Sequence, residues 1–73
     1  MFAIVAENLE RARHELRESS LNPKEAVLLT PNCSDRVRGC RLAFVIWADE
    51  WWRSCSVQQA LDLYRTIEPA LIA

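Results

Sequence analysis

Glycine is nearly absent from this chain of 73 residues, which contains only Gly39. A nucleotide-binding loop of the G-x-x-x-x-G-K-[ST] type needs two glycines and a lysine, because its backbone wraps closely around phosphate oxygens. The chain has no such motif, and Lys24 is its one lysine. These absences exclude a phosphate-binding loop, and we expect the chain not to be an enzyme that hydrolyses nucleotides.

An excess of charge of one sign is also lacking, since nine basic and ten acidic residues leave a net charge of −1. Nonspecific binding of nucleic acid requires a basic field that this chain does not have. Arg36, Arg38 and Arg41 form a local basic cluster and are candidate phosphate-binding residues. Such a cluster is more often a solvated loop.

Metal ligands and disulfide partners are scarce as well. Cys33, Cys40 and Cys55 are odd in number and contain no C-x-x-C pair, and His14, the only histidine, lies among charged residues. This pattern predicts no metal site, no cofactor and no disulfide scaffold, and it indicates reduced thiols in a cytoplasmic protein. No apolar run approaches the roughly 20 residues that span a bilayer, and the first ten residues lack the basic start of a signal peptide.

Hydrophobic residues, by contrast, are abundant: they make up 51% of the chain and include three tryptophans. A domain this small buries a limited share of its surface, and it usually needs a covalent or metal staple or a partner chain. Because no staple is evident, we expect a homo-oligomer, with a dimer as the first choice, or a complex with another protein.

Two helices are predicted, one at each end of the chain. Residues 2–19 carry apolar side chains at steps of three and four and charges on the other face, which is typical of an amphipathic helix. The second helix begins at Val57, after a capping box formed by Ser56 and Gln59, and Pro69 bends or ends it. Its apolar arc is wider than one pair of strands can bury, which again indicates a partner surface.

Two apolar runs without alternation, residues 26–30 and 42–48, predict buried strands. Between them, residues 34–39 are predicted to form a helical turn capped by Ser34 and ended by Gly39. This connection is barely long enough for a crossover, so parallel pairing is favoured and an antiparallel pair with a wide loop is the alternative. The predicted fold is a single small α/β domain with two central buried strands between N- and C-terminal helices.

The segment FVIWADE, residues 44–50, resembles the Walker B segment of helicases and phage terminase ATPases. The segment LLTP at 28–31 is similar to the strand that lies beside Walker B in those ATPases. The Arg-Gly pair at 38–39 is similar to the turn that often precedes Walker B. The resemblance covers residues 26–52, about a third of the chain.

In those ATPases the aspartate helps to hold Mg²⁺ and the glutamate orients the attacking water, and the resemblance carries these roles over to Asp49 and Glu50. Because the phosphate loop is missing, the resemblance implies a fragment of that fold that serves another purpose. The simpler interpretation is that the two acids end a buried strand at the solvent boundary. The short, tryptophan-containing chain also resembles small proteins of actinobacterial phages.

Trp51, Trp52 and Arg53 are the leading candidate contact residues, since tryptophan and arginine are enriched at interface hot spots. Tyr64 and Leu71 join them from the last helix and the tail. The alternative is that Trp51 packs under the last helix while Trp52 covers a sheet edge. Stacking on single-stranded bases is a third interpretation, which the near-neutral charge disfavours.

The sequence as a whole predicts a small non-enzymatic protein-interaction module, and the resemblance to small phage proteins implies an accessory role of phage type. We expect it to self-associate, to bind a host protein, or both, through an apolar surface that contains tryptophan. The alternative function is binding of nucleic acid or nucleotide phosphates by a remnant of a helicase-like fold, through Arg36, Arg38 and Arg41. No membrane partner is expected.

The missing phosphate loop leads to a direct test. Incubation of the purified chain with ATP or GTP and Mg²⁺ is expected to release no phosphate above background, because nothing in the sequence can hold the β- and γ-phosphates. A colorimetric phosphate assay measures this, and turnover that scales with protein concentration would contradict the expectation.

Overall fold

The computed structural model describes residues 1–32, 41–53 and 55–71, and these form a mixed α/β fold. The elements in chain order are β1 (Phe2–Val5), α1 (Leu9–Ser19), β2 (Ala26–Leu29), β3 (Val45–Trp47) and α2 (Val57–Ile67). Short 3-10 turns occupy Pro23–Glu25 and Glu68–Ala70. The predicted α/β class with helices on either side of the strands is confirmed, while the predicted turn at Ser34–Gly39, with Arg36 and Arg38, lies outside the described residues.

The three strands form one parallel sheet in the order β2-β1-β3. Ile4, near the end of β1, pairs with Leu28 on one side and with Ile46 on the other. The two strands predicted from the sequence therefore run in the same direction, but they are not neighbours. Each of them pairs with β1, which the sequence pattern did not reveal.

β1 is buried on both faces of the sheet, and it divides the hydrophobic core in two. Ala3 and Val5 face α2 and belong to a cluster that also contains Leu29, Leu42, Trp51, Leu63, Ile67 and Ala70. Phe2, Ile4 and Ala6 face α1 and pack with Ala12 and Ala48. Alternate side chains of a strand point to opposite faces, so one short apolar segment supplies both cores.

The prediction of a helix from residue 2 was wrong, because α1 begins only at Leu9. The Asn8 side chain caps α1 by accepting a hydrogen bond of 2.8 Å from the Arg11 amide, which fixes the start of the helix. Phe2 and Val5, assigned to the apolar stripe of that helix, belong to β1 and point to opposite sides of the sheet. Only the later part of the stripe, including the buried Ala12, faces the core from the helix.

β3 is shorter than the predicted strand over residues 42–48, and it lies at the edge of the sheet rather than at its centre. Its first two residues, Val45 and Ile46, are half-buried, and Trp47 is exposed. The apolar run predicts that this strand is buried on both faces. Full burial is instead observed for β1, which has a neighbouring strand on each side. β3 thus retains an outer edge and apolar side chains in contact with solvent.

The C-terminal helix matches the prediction in its start, its cap and its end. The Ser56 hydroxyl accepts from the Gln59 amide at 3.1 Å, and the Gln59 side chain accepts from the Ser56 amide at 2.9 Å, which completes the predicted capping box. Pro69 lies in the 3-10 turn that follows Ile67. α2 packs on the sheet through Leu63 and Ile67 and leaves much of its apolar arc in solvent.

The double burial of β1 predicts a large difference between two identical substitutions. Val5→Ala removes side-chain volume from the core and is expected to lower the free energy of unfolding by about 2–3 kcal/mol. Val57→Ala, at a residue that is 79% exposed, should change it by less than about 0.5 kcal/mol. Urea unfolding followed by circular dichroism measures both values, and equal losses would contradict the central position of β1.

Candidate functional site

Aromatic side chains cluster where β3, the following turn and α2 meet. Trp51 is at the centre and is only 8% exposed. Its ring centroid lies 4.9 Å from that of Trp47 on β3 and 5.8 Å from that of Tyr64 on α2. Trp47 and Tyr64 also contact each other, at 5.2 Å, so the three rings hold one another in place.

The turn after β3 sends one tryptophan inward and the next outward. The Trp51 amide donates to the Ala48 carbonyl at 3.3 Å, and Glu50 adopts a left-handed conformation with φ of 59°. The Glu50 carboxylate forms an ion pair with Arg53 at 3.1 Å across the same turn. As a result Trp51 joins the core, whereas Trp52 is 57% exposed and meets Trp51 only edge-on, at 6.2 Å.

We define the aromatic patch as the exposed side chains of Trp47, Trp52 and Tyr64 around the buried Trp51. Trp47 is 37% exposed and Tyr64 48% exposed, so both rings present a free face while the rest of each ring is packed. Large aromatic side chains that are rigid and partly exposed are the residues that contribute most at protein interfaces.

A groove of about 440 Å³ adjoins the patch between β3 and α2. Among the residues that the structure describes, its lining is mainly apolar with one charged side chain: Val45, Trp47, Tyr64, Ile67, Glu68 and Leu71. A groove with apolar walls accepts an apolar side chain. The groove and the patch share Trp47 and Tyr64 and form one continuous surface.

The outer edge of β3 borders the same surface. Among the residues that the structure describes, no strand pairs with this edge along Val45–Trp47. The chain just before β3 does have a partner on that side. Leu42 forms a parallel bridge with Leu71, and the Leu42 amide donates to the Ala70 carbonyl at 2.7 Å. A free strand edge next to exposed aromatic side chains is a typical place for another polypeptide to bind.

The residues predicted to form an interface do not all lie on the surface. Trp52, Arg53, Tyr64 and Leu71 are exposed, and Tyr64 and Leu71 line the groove. Trp51 lies in the core under α2, as the alternative interpretation proposed, and it supports the patch from below.

The sequence did not indicate four residues of this surface, and two of them, Val45 and Trp47, lie on β3. Both belong to the apolar run taken as a central strand, where their side chains would have been covered. They lie two positions apart on a strand and therefore share the face toward α2. That spacing was visible in the sequence, but the edge position that exposes them was not.

The acidic pair at the end of β3 is exposed and lies in the turn. Glu50 is occupied by its ion pair with Arg53, and Asp49 precedes it at the surface. Among the three arginines considered for phosphate binding, Arg41 is exposed, while Arg36 and Arg38 lie outside the described residues. Within the described part of the chain, no group of three His, Cys, Asp or Glu residues is placed to hold a metal ion.

A second depression, of about 370 Å³, lies on the polar face of α1 and carries charges of both signs. Arg11 is paired with Glu15 at 3.5 Å, and His14 lies 4.0 Å from Glu18. Neighbouring charges of opposite sign leave little net field to attract an ionic ligand. In the described residues, no helix is long and apolar enough to cross a membrane.

The adjacent tryptophans provide a matched pair of substitutions. Trp51→Ala removes a buried ring that contacts both β3 and α2 and is expected to cost about 3–5 kcal/mol of stability, enough to unfold a small domain. Trp52→Ala should cost less than about 1 kcal/mol, because most of that ring is already in solvent. Chemical denaturation of the two variants checks this, and a larger loss for Trp52→Ala would contradict the inward placement of Trp51.

Comparisons of the chain with protein-family models, with curated proteins and with solved structures find no match. Any function assigned to this surface must therefore be argued from its own geometry and chemistry.

Proposed function

We propose that this chain is a small, non-enzymatic protein-interaction module that self-associates through the aromatic patch and the adjoining groove. One observation carries the proposal: Trp47, Tyr64 and Trp52 are exposed together, around a buried tryptophan, beside a groove with apolar walls. Exposed apolar surface of this kind, concentrated in one place, marks a binding site more often than isolated apolar residues do.

The rigidity of the patch favours tight binding. Trp47 is held between Trp51 and Tyr64 before any partner arrives. A side chain that is already ordered loses little conformational entropy on binding, so more of the energy of burying its exposed face contributes to affinity. The groove next to it supplies the concave half of the contact and the patch supplies the convex half.

The distribution of charge is compatible with contact between two copies. Of the described residues that line the groove, Glu68 alone is charged, and the Glu50–Arg53 ion pair beside the patch is internally neutral. Two such surfaces can therefore meet without a concentration of like charges. The small size of the domain adds a reason for association, since its single sheet leaves part of the apolar arc of α2 uncovered.

The same surface would serve for a second partner. If that partner is a host protein, the chain acts as a cytoplasmic accessory protein of phage type that binds it through the patch. Cys55, a free thiol that is half-buried, fits a reducing compartment. Of the arginine cluster considered for phosphate binding, the described residues include only Arg41. Nothing observed in these residues supports phosphate binding.

The proposal is tested by measuring molar mass by light scattering over a wide range of protein concentration. The mass of the unmodified chain is expected to rise from monomer toward dimer. A Trp52→Ala/Tyr64→Ala variant should associate at least about 30-fold more weakly, because the loss of even one hot-spot ring costs about 2 kcal/mol.

The control is Val57→Ala, which changes an exposed apolar residue of α2 that does not line the groove. It should associate like the unmodified chain. Equal association of the double variant and the unmodified chain, with both folded by circular dichroism, would refute the proposed role of the patch.

A further inference from the structure

We propose that the outer edge of β3 pairs with β3 of a second copy, in antiparallel orientation, about a twofold axis that passes beside Ile46. The inference rests on the proposed function and specifies the partner and the geometry at that same surface. It would join two sheets into one continuous sheet, with the α1 helices on one face and the α2 helices on the other.

Some backbone groups of β3 bond to β1, and others point away from it. The Ala3 amide donates to the Phe44 carbonyl at 3.2 Å, and the Ala48 amide donates to the Val5 carbonyl at 2.9 Å. In a parallel ladder, alternate residues direct their backbone groups to the same neighbour, so Ile46 faces β1 as well. The amides and carbonyls of Val45 and Trp47 therefore point away from β1, toward the outer edge.

The part of the outer edge of β3 that a second strand can reach is short. At its N-terminal end, the bridge between Leu42 and Leu71 already covers the outer side of the chain. At its C-terminal end, the turn that begins at Ala48 takes the chain out of the plane of the sheet. Within the described part of the chain, the stretch of this edge open to a pairing strand is therefore Val45–Trp47.

The positions of the outward-pointing amides and carbonyls determine the register of the pairing between the two copies. When Ile46 lies opposite Ile46 of the partner copy, Val45 lies opposite the partner's Trp47, and Trp47 lies opposite the partner's Val45. Each of these pairs exchanges an amide and a carbonyl in both directions, which satisfies every outward group of the edge. A shift of one residue would leave outward groups without partners, so the edge is complementary to itself in this register.

The side chains support the same register. Val45 and Trp47 share the face toward α2, where they line the groove. The pairing places the partner's Trp47 beside Val45, at the opening of the groove, and the reverse contact is made across the axis. Aromatic and β-branched residues directly opposite each other are a favourable cross-strand pair.

The charges favour a second copy in antiparallel orientation. β3 itself is uncharged, Arg41 precedes it, and Asp49 follows it, both at the surface. Antiparallel pairing brings the basic start of one strand toward the acidic end of the other, whereas parallel pairing would bring like charges together. β3 also lacks the lysine and proline that protect edge strands, while the opposite edge strand, β2, is flanked by Lys24 and Pro31.

The first experiment removes one outward amide. Val45→Pro deletes a donor that does not bond to β1 and places a ring on the outer edge, where proline is tolerated in a monomer. The dissociation constant, measured by analytical ultracentrifugation, is expected to rise at least about 100-fold, since two donors are lost per dimer. Val45→Thr keeps the amide and the branched shape, and it should stay within about threefold of the unmodified chain.

The second experiment uses the position on the axis. Ile46→Lys and Ile46→Glu each place like charges opposite each other in a homodimer, and each variant alone should associate at least about 10-fold more weakly. An equimolar mixture should recover the affinity, because lysine then faces glutamate across the axis. Two variants that associate as tightly as the unmodified chain, or a mixture that recovers nothing, would overturn the proposed axis.

A third measurement needs no substitution. The Val45 and Trp47 amides of the unmodified chain should exchange with deuterium at least about 10-fold more slowly above the dissociation constant than below it, while the Ile46 amide stays protected at both concentrations. Equal exchange of Val45 and Trp47 in both states would overturn strand pairing even if the variants fail to fold.

These results separate the two proposals. Association that depends on Trp52 and Tyr64 but tolerates Val45→Pro and both Ile46 variants would refute the strand pairing and leave the aromatic patch as the contact. A chain that is monomeric at every concentration would contradict the strand pairing and self-association through the patch alike.

Discussion

The burial of β1 between two strands and two helical layers is the constraint on which the rest of the structure depends. Its four residues are all apolar and all buried, and their alternating side chains reach both cores. Neither helix could be placed independently, because each has to cover one face of this strand. In the order β2-β1-β3, this buried strand has a neighbour on each side, so the backbone groups along both of its edges are paired.

The surface proposed for binding stays exposed because the sheet is small. Two helices on three short strands can cover the centre of the sheet but not its margins, and β3 lies at one margin. The large side chains that remain near this margin, Trp47 and Tyr64, are half-covered by each other and by Trp51. The apolar surface that the domain cannot bury alone is therefore concentrated at this margin, and its aromatic side chains are already ordered.

The sequence was informative where local chemistry decides the structure. Ser56, Gln59 and Pro69 define α2 through interactions within a few residues, and the strand at residues 26–29 lies between Pro23 and Pro31. β1 was missed because its apolar residues also fit a helical stripe that continues into α1. The signal that separates them is Asn8, a preferred capping residue that marks where the helix begins.

The position of β3 could not be read from its composition. An uninterrupted apolar run predicts burial, but whether a strand is central or at the edge depends on strand order, which is set by contacts far apart in the chain. Without β1 in the centre, Trp47 was counted among the covered residues and the edge was not recognised. The inward and outward placement of Trp51 and Trp52 was anticipated as one alternative, because two adjacent rings on a turn rarely reach the same core.

The central position of β1 has a further consequence for biosynthesis. A ribosome delivers the middle of this sheet first, and β3, the strand that completes it, only after residue 47 has emerged. Leu63 and Ile67, which close the second core, emerge later still. Until then Ala3 and Val5, which face α2, lack the helix that covers them, although α1 and the first partner strand β2 have already emerged. The second core therefore closes only after α2 has emerged, and until then the α2-facing side of β1 is an exposed apolar surface.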